Sequence, residues 1–211
     1  MEILVDDSPI DEPDIREGTV EEALRQLQST HCGAGTLVVS LRCDGLEIPP
    51  HAMAETFVRK VASIQRLEVF TGTKAQLVGE AMSQASTCLN ETQNVCKEAA
   101  ALLIQGKIDQ GRQALGECLR VWQQIHEALA KSLVMLELDT DAYRVDGQPL
   151  VELFQKPKEV LLEVRTALES NDPVMLADLL QYEFPEVTRI WHDIISHLQQ
   201  QAKENERSVE A

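Results

Sequence analysis

The sequence predicts an α+β chain: a small β-rich domain at the start, followed by an antiparallel four-helix bundle. Three observations carry this. Short runs rich in β-branched residues alternate with turn signals up to Gly72, whereas long Ala, Leu, Gln and Glu stretches of helical period follow it. Asp44-Gly45 sits between two strand-like runs, the signature of a tight hairpin. Thr19 with Glu22, and Asn171-Asp172-Pro173, are helix start signals. The expected divisions are a domain over 1–72, a short link around Thr71 to Ala75, a helical domain over 75–204 and a frayed polar tail over 205–211.

In the first domain, Glu2-Ile3-Leu4-Val5 reads as a strand and Asp6-Asp7-Ser8-Pro9 as a turn. A return strand is expected through Ile10 to Ile15, with Pro9 and Pro13 confining it to a sheet edge. Thr19 caps a helix whose apolar stripe is Val20, Ala23, Leu24 and Leu27. Gly33-Ala34-Gly35 is a loop before the strand Thr36 to Cys43. Leu46-Glu47-Ile48 returns, and Arg66 to Thr71 makes a final strand after the looser segment Pro49 to Ile64.

The runs MEILVDDSPI, EGTVEEALRQL, LVVSLRCDGLEIP and QRLEVFTG, in this order, resemble the β-grasp fold of ThiS-type sulfur carriers and their ubiquitin-like relatives. The resemblance is a pattern of elements over about the first third of the chain. It implies a compact sheet with a docking face. Carrier chemistry in that family needs a free terminal diglycine; here Gly72 continues into Thr73 and Lys74, and no Gly-Gly occurs. That chemistry is therefore not expected. A ferredoxin-like βαββαβ domain is the alternative, if Ala52 to Ile64 is a full helix.

Four helical segments are expected after Gly72. The first, about Ala75 to Gln105, ends at Gly106; the second, about Ile108 to Glu137, contains Gly111 and Gly116, as a fraying start or a close helix contact. Asp139 to Gly147 is a connection. The third spans about Pro149 to Ser170, with Pro157 breaking it or starting a new helix there, and the fourth starts at Asn171-Asp172-Pro173 with a kink at Pro185. The helices share no repeat period.

Charge and composition exclude several functions. A net charge of −16 from 35 acidic and 19 basic residues, with a pI near 4.7, argues against nucleic acid and anionic membranes, which bind clustered Lys and Arg. The acidic start has no basic region or long apolar run of a secretory signal, and no window is apolar enough to span a membrane. Cys32, Cys43, Cys88, Cys96 and Cys118 are odd in number and lack CxxC spacing, which fits reduced, buried thiols in a cytoplasm. The spacing of Cys88 and Cys96, about two turns, allows a shared helix face.

No P-loop, dinucleotide, serine-hydrolase or zincin motif occurs. Neither His126 nor His192 has a Glu three residues earlier, so a dimetal carboxylate site has no support. His192, Asp193 and His197 cluster on one helix, where a surface ion pair between Asp193 and His197 is the simplest role. Asp178, Glu183 and Glu186 near Tyr182 read as an acidic face, and Cys32 beside His31 as loop neighbours without the geometry of a nucleophile and base. No residue is assigned a catalytic, cofactor-binding or metal-binding role, and no cofactor is expected.

The expected function is a non-enzymatic bacterial, cytoplasmic interaction protein of adaptor type. It docks a protein partner, basic or presenting an amphipathic helix, through its sheet-bearing head or the bundle surface. Homodimerisation is a further possibility. The alternatives are a secretion or flagellar export chaperone, and an enzyme or metal-binding bundle assembled from His126, Asp178, Glu183 and His192.

Overall fold

The computed structural model describes residues 2–10, 18–32 and 35–210. The chain is α+β, with a small mixed sheet first and mostly helices after it. It divides into two compact units, Met1–Lys74 and Ala75–Ala211.

The first unit holds a five-stranded sheet in the order β2-β1-β5-β3-β4, and its longest helix among the described residues, α1, has three turns. β1 (Glu2–Val5) and β2 (Ser8–Ile10) form a hairpin whose turn residues, Asp6 and Asp7, both have positive φ, 48° and 63°. A two-residue hairpin turn needs positive φ at both central positions, which Asp adopts more readily than bulkier residues. The turn is tighter than expected, so the edge strand begins at Ser8; the rest of the strand expected through Ile15 lies outside the described residues, as do Gly33 and Ala34.

β5 (Arg66–Thr73) lies at the centre, parallel to β1 and antiparallel to β3 (Thr36–Cys43), which turns back at Asp44-Gly45 into β4 (Leu46–Glu47). Asp44 and Gly45 have φ of 53° and 79°, as the two-residue turn demands. The pairing of β3 with β5 slips between Val38 and Ser40. The extra residue there resets the alternation, so Val38 before it and Leu41 and Cys43 after it all face the core. Opposite them α1 (Val20–Thr30) buries Val20, Ala23, Leu24 and Leu27. Its N-terminus carries the expected capping box: Glu22 N–H donates to Thr19 Oγ1 at 3.3 Å, and Thr19 N–H donates to the Glu22 carboxylate at 2.8 Å. The Thr19 N–H and hydroxyl, both donating to it, hold the Glu22 carboxyl below its usual range.

Ala52 to Ile64 is not the full helix that a ferredoxin-like fold needs. It is a 3₁₀ turn at Pro50–Ala52, the five-residue α2 (Met53–Phe57) and a second 3₁₀ turn at Val61–Ser63. The boundary expected around Thr71 to Ala75 lies between Lys74 and Ala75, but without a loop: Thr71 to Thr73 complete β5 and Lys74 opens α3.

In the second unit α3 (Lys74–Ile104) and α4 (Ile108–Met135) run antiparallel across a short turn. Gly106, at φ 76°, lets Lys107 N–H reach back to Leu102 C=O, which ends α3. Of the two glycines in α4, Gly111 marks a close helix contact: a Cβ there would stand 2.7 Å from Leu103 Cγ, whereas one at Gly116 meets nothing within 4 Å. The connection after α4 holds a two-stranded hairpin, β6 (Arg144–Val145) and β7 (Gln148–Pro149), turning at Asp146-Gly147. Of the two readings of Pro157, the new helix start is the one seen: the break falls at Phe154, between α5 (Leu150–Leu153) and α6 (Gln155–Glu169). Pro157 then occupies the first turn of α6, where an absent N–H costs nothing.

Asp172 caps α7 (Pro173–Asp178) by accepting from the N–H groups of Val174 and Met175, both at 3.0 Å. The kink expected at Pro185 takes the form of a π-helical turn over Leu179–Glu183, after which α8 (Phe184–Glu210) begins. Proline has no N–H for the carbonyl one turn back, and the wider turn absorbs that mismatch. The tail expected to fray over 205–211 is helical through Glu210. Leu115, Leu129, Leu150, Leu176, Phe184, Ile194 and Leu198 are among the buried residues of the helical core. Among the described residues no helix is long and apolar enough to cross a membrane.

Candidate functional site

The helical unit holds a cleft of about 520 Å³ between the second half of α3 and the π turn with the start of α8. Two sequence choices create it. Ala100 and Ala101 put small side chains on α3, and the π turn before Pro185 widens the opposing backbone. The space between is floored by Leu180, Phe184 and Cys96 and rimmed by Gln93, Lys97, Gln181 and Thr188. Ile104, 68 % exposed, stands at one end. Lys97 is the only charged residue of the lining. An apolar floor with a few polar groups around it is suited to an apolar side-chain row rather than to a charged substrate.

Behind the floor lies an aromatic stack. Phe184 stacks on Trp122 with ring centres 4.3 Å apart, Trp191 lies 5.7 Å from Trp122, and His126 stands edge-on to Phe154 at 5.6 Å. The indole N–H groups of Trp122 and Trp191 are buried without a hydrogen-bond partner. Beside Phe184, Cys96 Sγ lies 3.1 Å from Cys118 Sγ of α4. Cys96 donates its S–H to Cys118, which raises the Cys96 pKa and favours the thiolate at Cys118.

The residues suspected from sequence do not come together as one site. His126 packs on Phe154 and Trp191. His192 Nε2 lies 3.0 Å from Asn90 Oδ1 of α3. Glu183 binds Lys156 at 2.5 Å, with Glu186 3.7 Å from the same ammonium, and this contact raises the Lys156 pKa. Asp178 is exposed at the end of α7. The pairing expected between Asp193 and His197 does not form: Asp193 binds Arg189 at 3.0 Å, and His197 reaches Asp146 in the β6–β7 turn at 3.0 Å. Among the described residues no three His, Cys, Asp or Glu side chains converge as a metal would require. Cys32 has its pKa raised by burial and by Asp6, the wrong direction for a nucleophile. Cys88 and Cys96 do not share a face, since Cys88 is exposed and Cys96 buried. Eight residues overshoot two helical turns by about 80°, enough to separate them.

Two further arrangements are non-local and were not expected. In the first unit, Asp44 accepts from the N–H groups of Gln65 and Arg66 at 2.8 and 2.9 Å, while Asp6 accepts from Thr71 N–H at 2.8 Å and its hydroxyl at 2.6 Å. Two turn aspartates thus clamp β5 near both its ends. On the same strand Glu68 is held by Arg66 at 2.5 Å and Arg42 at 3.9 Å, and the Arg42 guanidinium lies over the Phe70 ring at 4.9 Å. Apart from the Arg66–Glu68 pair, these contacts join residues far apart in sequence.

No curated protein and no solved structure matches the chain. Two family models do. One, described as the TP0873 N-terminal domain, matches residues 1–73, nearly the whole of the first unit. The other, described as Domain of unknown function (DUF8042), matches residues 80–194, more than half of the chain, and the chain belongs to that family.

Proposed function

We propose that the protein is a non-enzymatic docking module whose helical cleft receives an amphipathic helix from a basic protein partner. The observation that carries the reading is the cleft itself: an apolar lining that includes Leu180, Phe184, Ala100 and Ala101, with Ile104 exposed at its end. Apolar residues at helical spacing on a partner would fill it, and a net charge of −16 favours a partner of opposite sign. The head is read as β-grasp-like, supported by the strand order β2-β1-β5-β3-β4 with β1 parallel to β5, and its sheet offers a second surface. The odd cysteine count supports a cytoplasmic setting.

The test compares the immobilised full chain with its Ala101→Glu variant. Ala101 is exposed on α3, so the substitution places a charged chain in the cleft without entering the core. A partner held by the wild type, released by raised salt and lost at least tenfold by the variant supports the reading. Recovery of a single secreted client would make it an export chaperone. Equal retention of every protein by both chains refutes the cleft as the docking surface.

A further inference from the structure

We propose that Cys96 and Cys118 form a modification site: a dithiol that a hydroperoxide closes to a reversible cystine joining α3 to α4. The two sulfurs already touch, at 3.1 Å, from residues 22 positions apart on antiparallel helices. A disulfide requires about 2.05 Å between sulfurs, so closure asks for an approach of roughly 1 Å. The register favours it, because Leu103 and Gly111 meet in the same antiparallel alignment nearer the turn. Cys118 is fully buried, and Cys96 is 5 % exposed and lines the floor of the cleft. A small oxidant therefore has a route to Cys96, with Cys118 waiting behind it. The inference is independent of what the cleft binds.

The chemistry balances in two steps. The Cys96 sulfur attacks the peroxide; an S–O bond forms, the O–O bond breaks, and an alcohol or water leaves, giving a sulfenic acid. The Cys118 sulfur then attacks Cys96; the S–S bond forms, the S–O bond breaks, and hydroxide departs as water with the Cys118 proton. Two thiols lose two electrons in total, and one hydroperoxide is reduced. The hydrogen bond from Cys96 to Cys118 gives the proton a route: the Cys118 thiolate it favours accepts the Cys96 proton as the Cys96 sulfur attacks, and gives it to the departing hydroxide in the second step. No other pair among the five cysteines is placed in sulfur contact among the described residues.

The experiment uses the full chain carrying Cys88→Ser, because Cys88 is exposed and shares a tryptic peptide with Cys96. The protein is treated with hydrogen peroxide, alkylated under denaturing conditions and mapped by mass spectrometry. Free thiols should fall from four to two, with the peptide 75–97 linked to 113–120 and release by dithiothreitol. Closing a loop of this size should raise the melting temperature of the helical unit by about 10 °C. Cys118→Ser should leave Cys96 stopped at the sulfenic acid, trapped by a dimedone probe. Four thiols surviving in the folded protein, a link through Cys32 or Cys43, or accumulation of sulfinic acid without a cross-link would each overturn the proposal.

Discussion

Gly111→Ala tests how closely α3 and α4 approach, and Gly116→Ala serves as its control on the same helix. Both replacements remove glycine's backbone freedom from a helix interior, a gain of about 1 kcal/mol. At Gly116 nothing lies within 4 Å of the new methyl, so that gain should appear in full. At Gly111 the methyl would stand 2.7 Å from Leu103 Cγ, 2.8 Å from its Cδ2 and 3.2 Å from its backbone nitrogen. Leu103 is 4 % exposed and its branching carbon cannot swing away alone, so the helices must separate or Leu103 must leave its rotamer. Overpacking of this kind costs about 1–3 kcal/mol. The two variants should therefore differ by about 1–3 kcal/mol, with Gly116→Ala above the wild type and Gly111→Ala at or below it. Urea unfolding followed by tryptophan emission reads the helical unit selectively, because both tryptophans, Trp122 and Trp191, belong to it. Equal stabilisation by the two substitutions would refute the close approach.

Three other outcomes are expected. Asp44→Ala removes the acceptor for Gln65 and Arg66 N–H and puts alanine at φ 53°, a loss of about 2–3 kcal/mol; hydrogen exchange at those two amides should quicken, and Asp44→Asn should lose less. Tyr143→Phe removes a buried hydroxyl that has no hydrogen-bond partner, so it should be neutral or stabilising by up to about 1 kcal/mol in the same urea assay. Burial raises the pKa of Cys43 above its ordinary 9.0 and that of Tyr143 above its ordinary 10.0, so the folded chain keeps these protons longer than the unfolded one. Their contribution is full below those values and lost as pH rises through the folded pKa values; the urea midpoint should decline above about pH 9, and a midpoint rising there would contradict the burial.

What the sequence made legible was local. The capping box at Thr19, the Asp44-Gly45 hairpin and the Asp172-Pro173 start are fixed within four residues by backbone chemistry, and each lies where its pattern places it. The second hairpin carried the same Asp-Gly pair at 146 and 147, but strands of two residues show no alternation to notice. Proline is permitted in a first turn, so Pro157 left a stop and a start both open in sequence, and the structure takes the start, with the break at Phe154. The cleft depends on two alanines of α3 meeting a π turn about eighty residues later, and the contact of Cys96 with Cys118 depends on helix register. Neither is encoded in any single window. The histidines and carboxylates that drew attention in sequence proved to be separate pairs, since proximity along a helix does not decide which neighbouring element a side chain meets.

The passage from β5 into α3 has no slack: Thr73 is the last residue of a strand and Lys74 the first of a helix. Proteases nick chains at exposed, unpaired loops, and this seam supplies none. Trypsin acting on the native protein should therefore spare the bond after Lys74, even though the two compact units divide there. Anyone wishing to isolate the halves must cut the gene rather than the polypeptide.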